Sequence, residues 1–506
     1  KNATTQKMAS ACYTLVSPPD VLQLRYQRLK TSHCFSSRVR VHKGYNTTVK
    51  GYTVDGGTSL SRFFALKYPL FRVSVAFGSA SIPTRMRGPK IQPLPEPLRG
   101  RDGGFTQTSI YKRLPDILDR LIKETSFGLE IESQLLNIKR EILNKESLKL
   151  IEDDGGPDVD QWNDLIRPLL GQSWDDIPWY FGEAYMYRRV LQTTGYFRKG
   201  TQWFGYDVFT PHKTKSLSED LPAIREMAER ANKFEHSGTS TAQPSSGSPA
   251  FSEDTFVGLL EADLWGNRVD LSVRPEGGDK GSALIEAQQQ YMIVDDSLKV
   301  WNALKGRSRL RIDFIIDNAG FELACDLFLV DYLLSSSLAS TVVFHLKGYP
   351  LFVSDAMTKD VRYTIDTLSA NTESDAVRAL ANRLTDWTNT GKWRLVEGLF
   401  WTKPTPFWEM ADEVYEELRK SDLIIVKGDA NYRRFGGDRH WPFTTALSDV
   451  ASYFPAPFVA LRTLKSGTLC AGPEAQDRIA QAQSKDPDWL VGGKYGVIQY
   501  VAPQHL

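Results

Sequence analysis

Residues 309–321 read Arg-Leu-Arg-Ile-Asp-Phe-Ile-Ile-Asp-Asn-Ala-Gly-Phe, and this stretch carries the main evidence for the fold class. The run from Arg309 to Ile316 is rich in apolar and β-branched residues and has the length of a strand. It stops at Asp317 and Asn318, after which residues 321–334 show the apolar spacing of a helix. A strand that passes directly into a helix is typical of an α/β unit.

The residues that follow repeat this alternation of strands and helices. Residues 341–346 form a second apolar run, and two helical patterns lie near residues 375–387 and 408–420. Leu423-Ile-Ile-Val426 is short and apolar at every position, which is typical of a strand buried on both faces of a parallel sheet. Residues 306–506 are therefore predicted to form an α/β domain built around a doubly wound layer.

The preceding part of the chain has a different pattern. Residues 86–305 are predicted to form an all-helical subdomain, because apolar residues recur at helical spacing over much of their length. A low-complexity stretch at 236–252, rich in Ser, Gly and Pro, is predicted to be a loop within this subdomain. Its predicted helices cover 114–122, 129–150, 158–169, 178–195 and 253–304, the last with a Gly-rich interruption near 277–281.

Charge is distributed unevenly along the 506 residues. The net charge is +1, but residues 1–85 hold thirteen Lys and Arg against Asp20 and Asp55. Because this segment lacks Glu and sustained periodicity, we expect a basic, disordered leader or extension, and its composition is similar to that of an organelle transit peptide. The acidic remainder argues against nucleic-acid binding, which requires a basic face.

Cysteine spacing and hydropathy bear on the cellular compartment in which the protein is expected. The four cysteines are widely scattered, which suits neither a disulfide framework nor a zinc site and indicates a reducing compartment. No run of eighteen apolar residues is present, so no membrane span is expected. These features favour a cytoplasmic location, with the nucleus as an alternative and organelle import through residues 1–85 left open.

Three polar clusters follow apolar runs in the predicted α/β domain. Asp317 and Asn318 follow the first strand, Asp355 follows an extended run at 351–353, and a third cluster occupies 427–434. Ligands of open parallel sheets bind outside the carboxyl ends of the strands, so we expect the clusters to meet at one edge. Carboxylate and amide oxygens are hard donors that suit Mg²⁺ or Mn²⁺. The alternative is that Asp317 and Asn318 only cap the helix that follows them.

The third cluster supplies groups that bind phosphate. It reads Lys-Gly-Asp-Ala-Asn-Tyr-Arg-Arg over residues 427–434, and Arg462 and Lys465 add two further cations. Cations and amides beside a metal can hold a phosphoryl group while the metal polarises it. The pattern therefore predicts a metal-dependent phosphatase.

Four short strings occur in this chain in a fixed order. They are Phe-Ile-Ile-Asp-Asn-Ala-Gly-Phe-Glu-Leu at 314–323, Val-Ser-Asp at 353–355, Leu-Ile-Ile-Val-Lys-Gly-Asp-Ala-Asn-Tyr-Arg at 423–433, and Arg-Thr-Leu-Lys at 462–465. Together they resemble the damage-control phosphatase family, also called domain of unknown function 89, which includes the acidic-residue methyltransferase-like proteins. The last string is similar to the RTxK signature of the third subgroup of that family. The resemblance covers about residues 105–500.

This resemblance implies both a fold and a metal site. The fold is a three-layer α/β/α sandwich with a mostly parallel sheet, which carries an N-terminal helical subdomain. The metal is a divalent cation held by Asp317, Asn318 and Asp355. Mn²⁺ is the first expectation for this site, with Co²⁺, Ni²⁺ and Mg²⁺ as alternatives.

The resemblance also implies a substrate. Asp429, Asn431, Arg433 and Lys465 would contact the phosphate or the sugar of a small phosphorylated molecule. Fructose 1-phosphate and fructose 6-phosphate are the expected substrates, and their hydrolysis would serve metabolite damage control. No nucleic-acid or membrane partner is expected, and the oligomeric state is left open.

Further polar residues lie outside these strings or beside them. Glu183, Tyr187 and Arg188 belong to an aromatic-rich helix and are predicted to line the substrate cleft. The alternative is a Glu–Arg pair on a helix that buries an aromatic stripe. Glu322 either supports the metal ligands or simply favours a helix N-terminus. His345 and His440 have no partner spacing and are interpreted as structural.

Three other functions were compared with this one. A covalent aspartyl-phosphate mechanism of the haloacid-dehalogenase type needs an acid two residues after Asp317, where the chain has Ala319. The main alternative is methyl transfer from S-adenosylmethionine to glutamate carboxyl groups of proteins. A nucleotide-binding turn would usually be glycine-rich, and the turn at 317–320 is not. A non-catalytic binding protein would be expected to have lost a metal ligand, and none is lost.

Overall fold

The computed structural model describes residues 87–236, 251–266 and 289–502, together with five short strands that precede them. The chain divides into two compact units, residues 1–86 and residues 87–506.

The first unit contains short antiparallel pairings. One sheet has two strands and another has three. The strands are Ser10–Ala11, Leu15–Val16, Leu22–Arg25, Ser36–Val39 and Gly51–Tyr52. Most of the predicted leader over 1–85, like most of the predicted loop over 236–252, lies outside the described residues.

A seven-stranded sheet organises the second unit. Its strands are β1 Met292–Asp295, β2 Leu310–Ile315, β3 Ala339–Lys347, β4 Trp393–Gly398, β5 Leu423–Lys427, β6 Phe458–Thr463 and β7 Gly496–Val501. Their spatial order is β1-β7-β6-β5-β2-β3-β4. The five strands from β6 to β4 are parallel, β7 is antiparallel to β6, and β1 is parallel to β7. The predicted α/β class with a mostly parallel sheet is confirmed.

Helices surround this sheet and precede it in the chain. They are α1 Gly104–Thr108, α2 Leu114–Glu124, α3 Leu129–Leu143, α4 Val159–Ile166, α5 Trp179–Thr194, α6 Thr210–His236, α7 Glu253–Trp265, α8 Ser297–Leu304, α9 Phe321–Ser335, α10 Thr358–Ser369, α11 Asp375–Asn389, α12 Asp412–Leu418, α13 Gly428–Gly436, α14 Leu447–Val450 and α15 Gln476–Lys485. Among the helices of the described residues, none has the length and hydropathy that crossing a bilayer would require.

The sheet buries apolar side chains on both faces, which produces the three-layer sandwich. On β5, Leu423 and Ile425 face one core while Ile424 and Val426 face the other, so every residue of this apolar run is used. The first core is closed by helices α6 to α11 and the second by helices α12 to α15. Burial of this kind is the main stabilising contribution to the fold.

A third hydrophobic core lies in the helical region that precedes the sheet domain. It is built from residues 98–209, with helices α1 to α5, and Leu351 and Phe352 join it from the loop after β3. Helices α6 and α7 also precede the α/β region in sequence, yet their apolar side chains belong to the core of the sheet. The helices predicted for 86–305 therefore take part in two different packing groups.

Some local predictions were wrong at the edges of the sheet. Residues 292–295 were predicted as part of a helical stretch but form β1. This short apolar segment pairs with the edge of β7 that is not bonded to β6. The extended run predicted at 351–353 is a turn, in which Phe352 has φ of 55° and packs against the helical core. Strand β4 was not predicted, because at the other edge its outward residues are half-buried or exposed and give no continuous apolar signal.

The contacts of Arg188 lead to a prediction about stability. Its guanidinium is fully buried, donates to Asp154 at 2.8 Å and to Asp158 at 3.0 Å, and lies over the ring of Phe197. Arg188→Met should leave two buried carboxylates without their counter-ion and lower the free energy of unfolding by about 3–5 kcal/mol.

Urea unfolding followed by tryptophan fluorescence would measure this change. The matched control is Arg167→Met, which removes an exposed pair with Asp164 and should cost no more than about 1 kcal/mol. Equal losses in the two variants would contradict a structural role for the buried cluster.

Candidate functional site

Two of the predicted metal ligands lie where strand β2 ends. Asp317 and Asn318 form the turn between β2 and α9, and Asn318 pairs with Asp355 in an isolated antiparallel bridge. The backbone N–H of Ala356 donates to the carbonyl of Asp317 at 2.8 Å, and that of Ala319 donates to the carbonyl of Ser354 at 2.7 Å. The chain after β3 is thereby fixed beside the chain after β2, and three predicted ligands are brought together.

The two aspartates carry negative charge that their surroundings do not fully compensate. The exposed fractions of Asp317 and Asp355 are 5% and 3%. Burial, with the carboxylates of Asp355 and Glu322, raises the pKa of Asp317 well above its ordinary value. Burial also raises the pKa of Asp355, although Lys347 lies 3.0 Å from its Oδ2 atom and opposes the shift. A pair of buried carboxylates with raised pKa values suits a divalent cation.

The hydrogen bonds of Asn318 set a condition on its role as a ligand. Its Nδ2 atom donates to Asp317 Oδ2 at 2.7 Å and to Glu322 Oε2 at 2.9 Å, while its Oδ1 atom accepts from Ser354 at 2.5 Å. The amide nitrogen thus occupies the side that faces Asp317. Ligation of a cation between Asp317 and Asn318 would require the amide to turn, so that its oxygen faces the carboxylate.

Asp317 also keeps one oxygen free. Its Oδ1 atom is buried and has no hydrogen-bond partner among the described residues. A buried carboxylate oxygen is costly unless something binds it, so this atom supports a cation site. No group of three His, Cys, Asp or Glu side chains that could hold a metal occurs in the described ranges. The donor set available here is therefore two carboxylates and an amide.

The third cluster meets the first through a glycine. Gly428 begins helix α13 with φ of 80°, and a Cβ atom added to it would lie 1.9 Å from Asp317 Oδ2. Only glycine combines this backbone conformation with so close an approach. The start of α13 is consequently packed directly against the Asp317 carboxylate.

Asp429 and Asn431 occupy the first turn of this helix. Asp429 accepts hydrogen bonds from Arg462 Nε at 2.8 Å, Ser466 Oγ at 2.9 Å and the backbone N–H of Lys465 at 3.1 Å. Burial alone would raise the pKa of Asp429, but the charges of Arg462 and Arg433 hold it below its ordinary value. Asp429 thus fixes the segment that carries Arg462 and Lys465.

Asn431 and Lys465 each have a polar atom without a hydrogen-bond partner among the described residues. Asn431 is fully buried and donates to the carbonyls of Ile316 and Lys427, while its Oδ1 atom has no hydrogen-bond partner in the described part of the chain. The ammonium of Lys465 is in no hydrogen bond or ion pair with the residues described, and its charge lowers the pKa of Asp317. A half-buried cation whose charge acts on the buried carboxylate of Asp317 is well placed for an anionic ligand.

Arg433 and Glu183 connect the helical region to the sheet. Arg433 donates twice to Asp438 at 2.8 Å and once to Glu183 at 2.7 Å, and its guanidinium lies 3.8 Å from the centre of the Trp179 ring. Glu183 also accepts from Arg113 at 2.9 Å. Both predicted residues are therefore in contact, and much of their charge is already paired.

Arg188 takes no part in this arrangement. It lies on the same helix as Glu183, but its ion pairs are with Asp154 and Asp158, inside the helical core. The histidines lie elsewhere too: His345 is 2.9 Å from Asp313, and His440 is exposed and 2.9 Å from Asp102.

Several further polar groups lie near the site, and of these the sequence analysis named only Tyr187. The hydroxyls of Tyr180 and Tyr187 are buried without a hydrogen-bond partner among the described residues, and the charge of Asp355 acts on both. Lys347 contacts Asp355, and Lys213 donates to the backbone carbonyl of Asp355 at 2.6 Å. Both tyrosines belong to the aromatic stripe of α5, so that stripe was the available signal, although it does not distinguish a site from a core.

The chain is similar to known proteins over most of its length. A family model described as the damage-control phosphatase ARMT1-like domain matches residues 108–479. Damage-control phosphatase ARMT1 of Xenopus tropicalis is 34% identical over 439 residues, which are 79% of this chain and 96% of the relative. The protein of the same name from Homo sapiens is 29% identical over 453 residues, which are 81% and 99% of the two chains.

A DUF89 family protein from Pyrococcus horikoshii aligns with a TM-score of 0.39 and 15% identity over 77% of this chain and 97% of its own, a likeness too weak to carry an argument. The match of the family model over most of the chain, with relatives of 30% identity and more along nearly their whole length, establishes the family. This chain belongs to the damage-control phosphatase ARMT1-like family.

Proposed function

We propose that this protein is a metal-dependent phosphatase that hydrolyses small phosphorylated sugars, with fructose 1-phosphate and fructose 6-phosphate as substrates. The observation that carries the proposal is the pair of buried, incompletely compensated carboxylates of Asp317 and Asp355, together with the ammonium of Lys465, whose charge acts on Asp317 and which has no ion pair among the described residues. Such a site can attract both a cation and the phosphate that the cation binds. Family membership supports the same reaction class.

Asp317, Asn318 and Asp355 would hold the cation. Their oxygens are hard donors, which favours Mn²⁺ or Mg²⁺, with Co²⁺ and Ni²⁺ as alternatives. A divalent cation supplies Lewis-acid polarisation of a phosphoryl group and a lowered pKa of bound water. The free Oδ1 atom of Asp317 and the raised pKa values of both aspartates are the features of this chain that fit it.

The substrate would be bound by the groups that face these carboxylates. Lys465 would donate to the phosphate and balance negative charge as the P–O bond breaks. The free amide oxygen of Asn431 and the hydroxyls of Tyr180 and Tyr187 can accept or donate hydrogen bonds to sugar hydroxyl groups. Arg433 would hold the two sides of the site together through Glu183 and Asp438 rather than act as a free phosphate ligand.

Phosphate release by the purified protein tests the proposal. Fructose 1-phosphate, fructose 6-phosphate and a panel of other sugar phosphates would be assayed with EDTA and with each of the four metals. Release that depends on added metal is expected. Absence of phosphate release with every metal and substrate would overturn the proposal. Methyl transfer from S-adenosylmethionine to protein carboxyl groups would then be assayed as the alternative.

Asp317→Asn should abolish hydrolysis while leaving the fold intact. The substitution removes a buried charge that is poorly compensated, so the metal-free variant should melt at least as high as the wild type. Mn²⁺ should raise the melting temperature of the wild type, because a ligand that binds only the folded state stabilises it by about 2.7 kcal/mol at one hundred times its Kd. The variant should show little of this shift.

Thermal melting with and without Mn²⁺ measures this effect independently of turnover. Asp477→Asn, an exposed aspartate on α15, is the control and should keep both the shift and the activity. A normal Mn²⁺ shift in Asp317→Asn would remove Asp317 from the metal site.

Lys465→Met should weaken phosphate handling without weakening metal binding. A charge-assisted hydrogen bond contributes about 1.5–3 kcal/mol, so kcat/KM is expected to fall roughly 10- to 100-fold. The Mn²⁺ melting shift should be retained or increased, because the substitution removes a positive charge near Asp317.

Steady-state kinetics and the melting shift together check this prediction. Lys485→Met, an exposed lysine in the last turn of α15, should leave both unchanged. An unaltered kcat/KM in Lys465→Met would show that the ammonium does not contact the substrate.

A further inference from the structure

Helix α3 has an apolar stripe on its outer face. Leu129, Leu136 and Leu143 have exposed fractions of 87%, 48% and 46%. They are seven residues apart, which is close to two helical turns, so they align along one side of the helix. The opposite side is already packed, since Leu135 and Ile138 are buried in the helical core.

The charges beside this stripe have opposite signs at its two ends. Glu130 and Glu132 lie in the first turn of α3, and Arg140 lies in the last turn. None of these three side chains forms an ion pair with any residue that the structure describes; Arg140 only donates to the amide of Asn137. The stripe therefore has an acidic end, a basic end and a leucine at its centre.

We propose that this face binds a second copy of the same chain, with the two α3 helices antiparallel about a two-fold axis through Leu136. Leu136 would then meet Leu136 of the second copy, and Leu129 would meet Leu143 of that copy. Glu132 would lie beside Arg140 of the second copy, and the reciprocal pair would form at the other end. A surface that complements itself in this way is what an isologous dimer requires.

Electrostatics select this antiparallel arrangement. In a parallel pair, acidic ends would face acidic ends and basic ends would face basic ends, which is unfavourable. The antiparallel pair also sets the partial charges of the helix termini against opposite ones. Three exposed leucines that lose contact with water would supply the attraction.

The small size of this surface limits the affinity of the dimer. One helix of fifteen residues is less than the roughly 20–30 residues that each partner contributes to a standard interface. We therefore expect a reversible dimer, with a dissociation constant roughly in the micromolar range. It should appear on raising the concentration of the protein.

Sedimentation equilibrium of the full chain over a concentration series is the first experiment. Leu136→Glu places two carboxylates against each other on the axis and should weaken dimerisation at least roughly tenfold. Leu170→Glu is the matched control, because Leu170 is 47% exposed but lies outside α3, and it should leave the dimer unchanged. A wild type that stays monomeric at every concentration, or a dimer that Leu136→Glu leaves intact, would overturn the proposal.

Charge reversal distinguishes a second copy from any other occupant. Glu132→Arg and Arg140→Glu should each weaken the dimer, because each puts like charges together at both ends of the stripe. The double variant should recover it, because every copy then carries both reversed charges. Failure of the double variant to recover the dimer would rule out the two-fold arrangement, and melting temperatures equal to the wild type would show that all variants are folded.

Discussion

The approach of Gly428 to the carboxylate of Asp317 is the constraint on which the rest of the site depends. It requires β2 and β5 to be neighbours in the sheet, since only adjacent parallel strands can bring the turn after one against the helix that follows the other. It requires a glycine with φ of 80° at the start of α13. It also determines where Asp429 and Asn431 lie, because both belong to the first turn of that helix. The Oδ2 atom of this carboxylate is thus packed against backbone, while its buried Oδ1 atom has no hydrogen-bond partner among the described residues.

A second interaction gives the site its other wall. Arg433, on the same helix, is held by Asp438 and reaches Glu183 on α5. Because the guanidinium is also stacked on Trp179, the helical region is attached to the sheet at the place where the polar groups meet. Tyr180 and Tyr187 are carried to the carboxylates by this attachment. Because Arg433 is already paired with Glu183 and Asp438, it has little capacity to bind another anion. Of the cations predicted to touch the substrate, Lys465 is the one without an ion pair among the described residues.

The sequence predicts those features that local patterns determine. Apolar runs that end in polar residues located Asp317 and the start of α13, because β5 is apolar on both faces and β2 buries Leu310, Ile312 and Phe314 on one face. Short strands at the edges, such as β1 and β4, were missed since half of their residues face outward. Asp355 was placed in the right neighbourhood through a strand that does not exist; the bridge to Asn318 positions it instead. Long-range pairs such as Arg433 with Glu183 have no local signature. Glu183 and Arg188 show the limit clearly, since five residues of helix turn the side chain by about 140°, so one faces the sheet and the other faces the helical core.

The position of β7 in the sheet has a consequence for the order of events during synthesis. Among the strands of the described sheet this one comes last in the sequence, yet it lies between β6 and β1, so neither of those strands can complete its hydrogen bonds before β7 has been synthesised. The nascent protein must therefore carry an open, apolar sheet edge until β7 is available. A ribosome that stalls shortly before β7 would release a truncated chain that contains nearly all of the polar site residues. This truncated chain would expose an unpaired, aggregation-prone sheet edge, which chaperones and quality-control proteases would recognise.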